Sequence, residues 1–528
     1  MASSRQNGSS GFDTSGWPLA RLIPTAGIRG QEEQEKRATS SLLAVMRAVP
    51  EFGHALLKEL GAPKSPVIET FAEVRFKDAE RKTVIPDGAI VCRRGQKVWT
   101  CLVEVKTAGA ALRPEQVNAY LDIAREHGFH GVLTISNQIT AASSESPISV
   151  DGRKLKRTAL WHFSWWRVLT EAIVQHRYRG ISDPDQAWIL GELIAYLDSA
   201  ASGAGGFEDM GDKWVAVRKA AHDGTLRQND PEARSVAERW EEFTQYLCLG
   251  LSQDLGRSVS SPRPRGQTTA ARLDESVKQL AADGSLIAVL RVPDAIGDIR
   301  IRADLRARRT LTGVAIEAPR EGRAKPRINW LLRQLADAPA DLRVEAAFPN
   351  ARQTTSVLLA DAREEPDKLL YPADPKREPR AFMISLARAM GHKRGKAEGS
   401  LCARPGHRPL TSTARSSSSS SRGRPGRPSS AGPTPRKRCR SSRRRSRRAS
   451  RSPASERSAR PPIRWRAPAP SRPDLVSYGG VVDAVRHAAA PASLRSRRCS
   501  RSLRSGAGAR RHRAYASDAR RPAELRFR

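Results

Sequence analysis

The residues with the greatest chemical capacity lie in the run VIPDGAIVCRRGQKVWTCLVEVKT, positions 84–107. Two acids and a lysine, Asp87, Glu104 and Lys106, stand there in otherwise largely apolar surroundings. Alternate residues of a strand share a face. Leu102, Glu104 and Lys106 are therefore expected on one face, and Cys101, Val103 and Val105 on the other, packed into a core. Arg94-Gly95 supplies turn chemistry for a hairpin. A turn centred there sets Asp87 opposite Leu102 and diagonal to Glu104, within reach of one bound ion. Pro86 cannot donate to the ladder and would splay Asp87 away from it. Phosphodiester hydrolysis uses such a set. One or two carboxylates suffice to hold Mg²⁺. The cation lowers the pKa of a bound water and clamps the reacting oxygens, and a nearby ammonium orients that water or offsets developing charge. The plainer alternative is a turn acid at Asp87 and a solvated Glu104–Lys106 pair on the outer face of a hairpin.

These residues need elements to position them. Apolar Ala38, Leu42, Val45, Met46 and Val49 share one face of a helix expected over 31–49. A second helix over 51–60 ends at Gly61, a common C-cap residue. Period-two patterning predicts strands at 71–77, 84–93 and 98–107. Pro114 opens a helix running to about His127. The apolar run at 131–136 and a segment at 159–163 add strands, and helices follow at 164–177 and 184–199. This order predicts an α/β core with a central mixed sheet flanked by helices.

The run Pro86-Asp87, sixteen residues, then Glu104-Val105-Lys106 resembles the PD-(D/E)xK signature of restriction-endonuclease-like nucleases. Gln116 and Tyr120 share a helical face and resemble the QxxxY element of RecB/Cas4-like members. The resemblance covers about 30–165. It implies that Asp87 and Glu104 bind the metal and act with Lys106 in catalysis, while Gln116 and Tyr120 orient substrate. It also implies an accessory acid on the first helix, for which Glu35 is the candidate and Glu32 the rival. The implied activity is a Mg²⁺-dependent endo- or exonuclease, with Mn²⁺ as a substitute. Its expected partner is nucleic acid, DNA ahead of RNA, in repair, restriction or defence. A catalytically silent nucleic-acid-binding protein would carry the same fold. A third reading is a basic coating protein that works through its tail.

The formal net charge of +37 on 528 residues points to a polyanionic partner. Most of it lies in 401–528, which holds 34 Lys+Arg against 5 Asp+Glu. Only Lys437 among those basic residues is lysine. Such a segment is expected to be disordered. An out-of-frame reading of GC-rich DNA would give the same switch from lysine to arginine. Six scattered cysteines without CxxC spacing argue against a zinc knuckle and fit a reducing cytoplasm. No run approaches the roughly 18 apolar residues of a membrane span, so no membrane partner is expected; a homo-oligomer is compatible. No GxxxxGK[ST], GxGxxG or GxSxG motif supports ATP use, hydride transfer or a serine elbow.

The expected organisation is a flexible leader at 1–28 and a nuclease-like domain at 29–200, with a flexible break at 200–206. A helical segment at 207–256, a linker at 257–268, a smaller α+β unit at 269–371 and a disordered tail at 372–528 follow. In the α+β unit, Arg300, Arg302, Arg306, Arg308 and Arg309 form a basic stripe, either a phosphate contact or a solvated face. Trp161, Trp165 and Trp166 are expected as core and interface aromatics, and His127 and His130 as capping or surface residues.

Overall fold

The computed structural model describes residues 22–23, 30–78 and 81–390. Of the expected leader only 22–23 is described, where Leu22 N donates to Glu192 Oε2 at 2.9 Å and Ile23 packs against the first core; the Arg-rich stretch at 401–528, with its reading-frame question, lies outside the described residues. The apolar stripe of α1 (Gln31–Ala48) buries Ala38, Leu42, Val45 and Met46. Next comes α2 (Pro50–Lys58), whose first residue is a proline that has no N–H to leave unsatisfied there.

Where one strand over 71–77 is expected, the chain forms β1 (Val67–Ala72) and a two-residue β2 (Phe76–Lys77). Glu73, at φ 51, breaks the extended run between them. Pro86 splits the next expected strand into β3 (Thr83–Val84) and β4 (Gly88–Arg94). Then follow β5 (Lys97–Val105), α3 (Pro114–Glu126), β6 (Gly131–Ser136) and β7 (Ala159–Ser164). After them come α4 (Trp165–Val174) and α5 (Pro184–Asp198).

The first sheet has the order β1-β4-β5-β6-β7. Its β1, β4 and β5 are antiparallel, whereas β5, β6 and β7 run parallel. Residues of α1, α2, α4 and α5 pack on one face, and α3 covers the other. Every residue from Cys101 to Val105 is consequently buried. Double coverage explains why β5 reads as a continuous apolar run around its single acid.

The hairpin register differs from expectation. Arg94 pairs with Lys97 and Gly88 with Val103, so the turn is Gly95-Gln96, not Arg94-Gly95. Gly95 takes φ 55 at the first central position, which glycine tolerates and hairpin twist favours. The shift carries Asp87 abreast of Glu104 instead of Leu102.

The later half departs further. After α6 (Trp214–His222) and α7 (Pro231–Leu255) come α8 (Thr269–Asp283), β8 (Ser285–Leu290), β9 (Ile299–Asp304) and β10 (Arg309–Glu317). They are followed by α9 (Ala324–Gln334), β11 (Arg343–Ala347), β12 (Thr355–Leu358), α10 (Leu359–Glu364) and β13 (Ala381–Ala389). The second sheet has the order β12-β11-β13-β10-β9-β8, antiparallel throughout. Since β13 lies between β10 and β11, the expected tail boundary at 372 is wrong: 381–389 is a central strand. The expected helical segment is no separate piece either, because Phe207, Trp240 and Phe243 share one core with Leu286, Ile301 and Leu305. The expected linker is also tied down. Arg263 Nη1 and Thr269 Oγ1 each donate to Glu145 Oε1 at 2.8 Å, and Ser260 bridges to Arg291. Among the described residues, no helix is long and apolar enough to cross a membrane.

Candidate active site

Glu104 lies near the C-terminal end of β5, where the parallel strands finish. Its side chain is 1% exposed. The expected alternative of a solvated pair on an outer hairpin face therefore does not hold. Lys106 follows directly, with its backbone fixed from two sides. Its N–H donates to Ile135 O at 2.8 Å, and its carbonyl accepts from Trp165 Nε1 at 2.9 Å. Trp165 is thus a core aromatic, as its spacing suggests, that also holds the chain at the lysine.

The lysine head reaches back over the strand end. Its Nζ lies 2.5 Å from Glu104 Oε1, 3.0 Å from Val105 O and 3.5 Å from Glu35 Oε2. Asp87, released from the ladder just after Pro86, accepts the Val105 N–H at 2.8 Å through Oδ2. Glu35, Asp87, Glu104 and Lys106 are therefore brought together from α1, the start of β4 and the end of β5. The rival Glu32 points elsewhere and pairs with Lys36 at 3.0 Å on the surface.

Gln116 and Tyr120 also converge. Gln116 Nε2 donates to the Tyr120 hydroxyl at 2.7 Å, and that hydroxyl donates to Ile85 O at 3.2 Å. The phenol lies close to the Glu104 carboxyl while its hydrogen goes to Ile85. Burial, then the charge of Glu104, raises the Tyr120 pKa well above its ordinary value.

Electrostatics at the centre are polarised. Burial, then the charge of Asp87, pushes Glu104 up to about 7, against the pull of Lys106. Burial alone would lower the lysine. Glu104 leads the acids that outweigh it, and Lys106 is held above its ordinary value. One carboxylate oxygen, Glu104 Oε2, is buried with no hydrogen-bond partner. An unsatisfied buried acceptor is costly. A cation would satisfy it, and a donor set made of carboxylate oxygens suits a hard ion such as Mg²⁺. Among the described residues, no group of three His, Cys, Asp or Glu side chains converges as metal ligands. An ion held by Asp87 and Glu104 would fill its shell with water, backbone carbonyl or phosphate oxygen, the usual habit of Mg²⁺.

Sequence reasoning missed two sets of residues. The first extends the row of Glu104 across the sheet. Thr134 pairs with Glu104 and His162 with Thr134, and all three are buried. His162 Nε2 donates to Gln138 O at 2.9 Å, while Nδ1 meets the Thr134 hydroxyl at 2.9 Å. Burial lowers the imidazole to about 4, so it is neutral. A lone threonine inside the apolar run GVLTIS, in parallel register with Glu104, was the available signal.

The second set pins the turn after Lys106. Thr107 Oγ1 donates to Gln34 Oε1 at 3.1 Å, and Ala108 N to Gly203 O at 2.8 Å. Asn137 Nδ2 donates to Ala108 O and Gly203 O, and its Oδ1 accepts from Gly205 N. The expected flexible break at 200–206 is thereby a fixed strap. Its Gly and Ser content reflects close packing: Gly203 has φ 68, and an added Cβ would lie 2.3 Å from Gln34 Oε1.

No family model matches this chain, and no curated protein matches its sequence.

Proposed function

We propose that the domain at 29–200 is a metal-dependent nuclease core of the restriction-endonuclease-like class, hydrolysing phosphodiester bonds in nucleic acid, DNA ahead of RNA. The observation that carries this reading is the buried Glu104, with one oxygen on Lys106 and the other unpartnered, beside Asp87. The buried Glu241–Arg272 pair also leaves one carboxylate oxygen without a partner, so what supports the reading is the second acid beside Glu104 and the rise of its carboxyl to about 7. A buried carboxylate held beside another acid and an ammonium at a strand end is poised for a ligand.

In this reading Asp87 and Glu104 hold Mg²⁺, with Mn²⁺ as a substitute, and the bound cation polarises the scissile phosphate and acidifies a water. Lys106 presents its ammonium to the attacking water or the developing negative charge. Glu35 anchors that ammonium from the far side and fixes its reach. Gln116 orients the Tyr120 hydroxyl beside the Glu104 carboxyl, and the two help to place substrate. The free, buried cysteines Cys92, Cys101 and Cys248 fit a reducing cytoplasm. Repair, restriction or defence are the processes this chemistry serves.

The deciding experiment incubates the full-length protein with labelled duplex DNA, single-stranded DNA and RNA in Mg²⁺, Mn²⁺ or EDTA. Cleavage is expected with either cation and none with EDTA. Asp87→Asn and Lys106→Met are each expected to lose at least about a hundredfold, the scale of an electrostatic stabiliser. Wild type inert with both cations, or equal rates in the variants, would move the assignment to a nucleic-acid-binding protein.

A further inference from the structure

The second sheet carries its own concentration of charge, apart from the cleavage centre. Along β9, Ile299, Ile301 and Ala303 are buried, while Arg300, Arg302 and Asp304 alternate with them on the opposite face. Residues two apart on a strand stand about 7 Å from one another. Arg302 lies across from Leu311, and Asp304 across from Arg309. The chain then turns through Arg306 and Arg308 into β10, with Arg308 at φ 51. That left-handed conformation is strained for a residue other than glycine.

A neighbouring helix adds a further cation. His222 of α6 bonds Arg306 O through Nδ1 at 2.9 Å, which fixes the helix against the turn. Arg218 lies four residues earlier, on the same helical face. Burial, then the charge of Arg308, lowers the Arg218 guanidinium from its ordinary value, so two like charges are held near each other. Two acids temper the group: Asp283 meets Arg302 at 3.2 Å, and Asp304 lies 4.0 Å from Arg309. Arg306 spends a donor on Ala282 O at 2.9 Å. Among the described residues, no acid pairs with Arg300 or Arg308, and both are exposed.

Clustered guanidiniums repel, and phosphates relieve that repulsion while releasing their own counterions. Arginine's planar fork also suits phosphate oxygens. We infer that the β9–β10 turn and its flanks, Arg218, Arg300, Arg302, Arg306, Arg308 and Arg309, form a second phosphate-backbone contact that grips nucleic acid away from the cleavage centre. The choice of duplex DNA as its occupant rests on the nuclease reading. The charged surface itself does not.

The test uses the full chain in EDTA, where no cleavage occurs. The segment at 401–528, with its 34 basic residues, would dominate bulk affinity, so the readout is local. Phenylglyoxal modification is read arginine by arginine by mass spectrometry, with and without a duplex of about one protein footprint. Arg300 and Arg308 are expected to be protected at least about fivefold, and exposed Arg352, in the loop between β11 and β12, to change little. Unprotected Arg300 and Arg308, or equal protection of Arg352, overturns the inference. Equal protection by poly-glutamate also overturns it, in favour of an acidic protein partner. Arg300→Glu is expected to lower the protection of Arg308 at least about twofold, read in the same local way; undiminished protection of Arg308 argues against one shared surface. Protection in a wild-type protein that never cleaves leaves the surface standing and removes only the nuclease reading.

Discussion

Glu104 can protonate, and that decides how its neighbours respond to mutation. Removing a partner from a buried ion pair ordinarily costs about 3–5 kcal/mol, because a bare charge remains. A carboxyl already near pKa 7 escapes by taking a proton. Lys106→Met is therefore expected to fold, with a melting temperature only a few degrees lower, while losing the proposed cleavage. A collapse of stability matching the loss of activity would contradict this. Glu35 and Glu32 separate cleanly as well. Glu35→Gln is expected to slow cleavage about tenfold, and Glu32→Gln to leave it unchanged, since only Glu35 reaches the ammonium.

His162 sets a pH dependence of its own. Its folded pKa, about 4, lies below the ordinary 6.5. The neutral ring therefore contributes stability above pH 6.5, and that contribution is lost as pH falls through about 4. The amount is on the order of 3 kcal/mol. Urea titrations across this window should show a steeper acid loss in wild type than in His162→Gln.

At this scale much was legible. The alternation in LVEVK placed Glu104 and Lys106 on one face, and helical spacing joined Gln116 to Tyr120. The partner of Asp87 depended on where the turn fell. Arg94-Gly95 and Gly95-Gln96 differ by one position, but that slip moves every pairing by two.

Among the elements, the strap at 200–206 shows how composition misleads. Gly and Ser usually mark a chain free to move, yet Ser202 is fully buried and Gly203 abuts Gln34. Their smallness is what lets the strap lie against α1 and the turn after Lys106. Asn137 ties these parts through both ends of its amide. Asn137→Ala removes three hydrogen bonds and is expected to cost roughly 2–4 kcal/mol in urea unfolding. It should also reduce kcat more than it raises KM, because the turn carrying Lys106 loosens. An unchanged kcat would assign Asn137 to stability alone. No periodicity could have exposed this network, since its members come from α1, the ends of β5 and β6, and the segment after α5.

For the whole molecule, the sequence led to the first sheet more reliably than to the second. The signals of the first are local: a hairpin, a helix, then an apolar strand. The second depends on β13, whose approach, DPKREPR, reads as the start of a basic tail. The run AFMISLARA that follows has the alternation of a half-covered strand. A chain ending at residue 371 leaves β10 and β11 without the strand that joins them, whereas one ending at residue 390 keeps it. The shorter chain is expected to aggregate or be degraded at 269–371 under limited proteolysis, and the longer one to resist as the full protein does. Equal resistance would mean that β13 is dispensable.

The late arrival of β13 also bears on how this protein is made. On the ribosome, β10 and β11 emerge well before the segment that must slide between them, and each meanwhile presents an unsatisfied backbone edge. Such edges invite pairing with another nascent copy. Yield during overproduction should therefore depend on how fast the stretch from 318 to 389 is translated and on holdase availability, more than on any substitution at Asp87, Glu104 or Lys106.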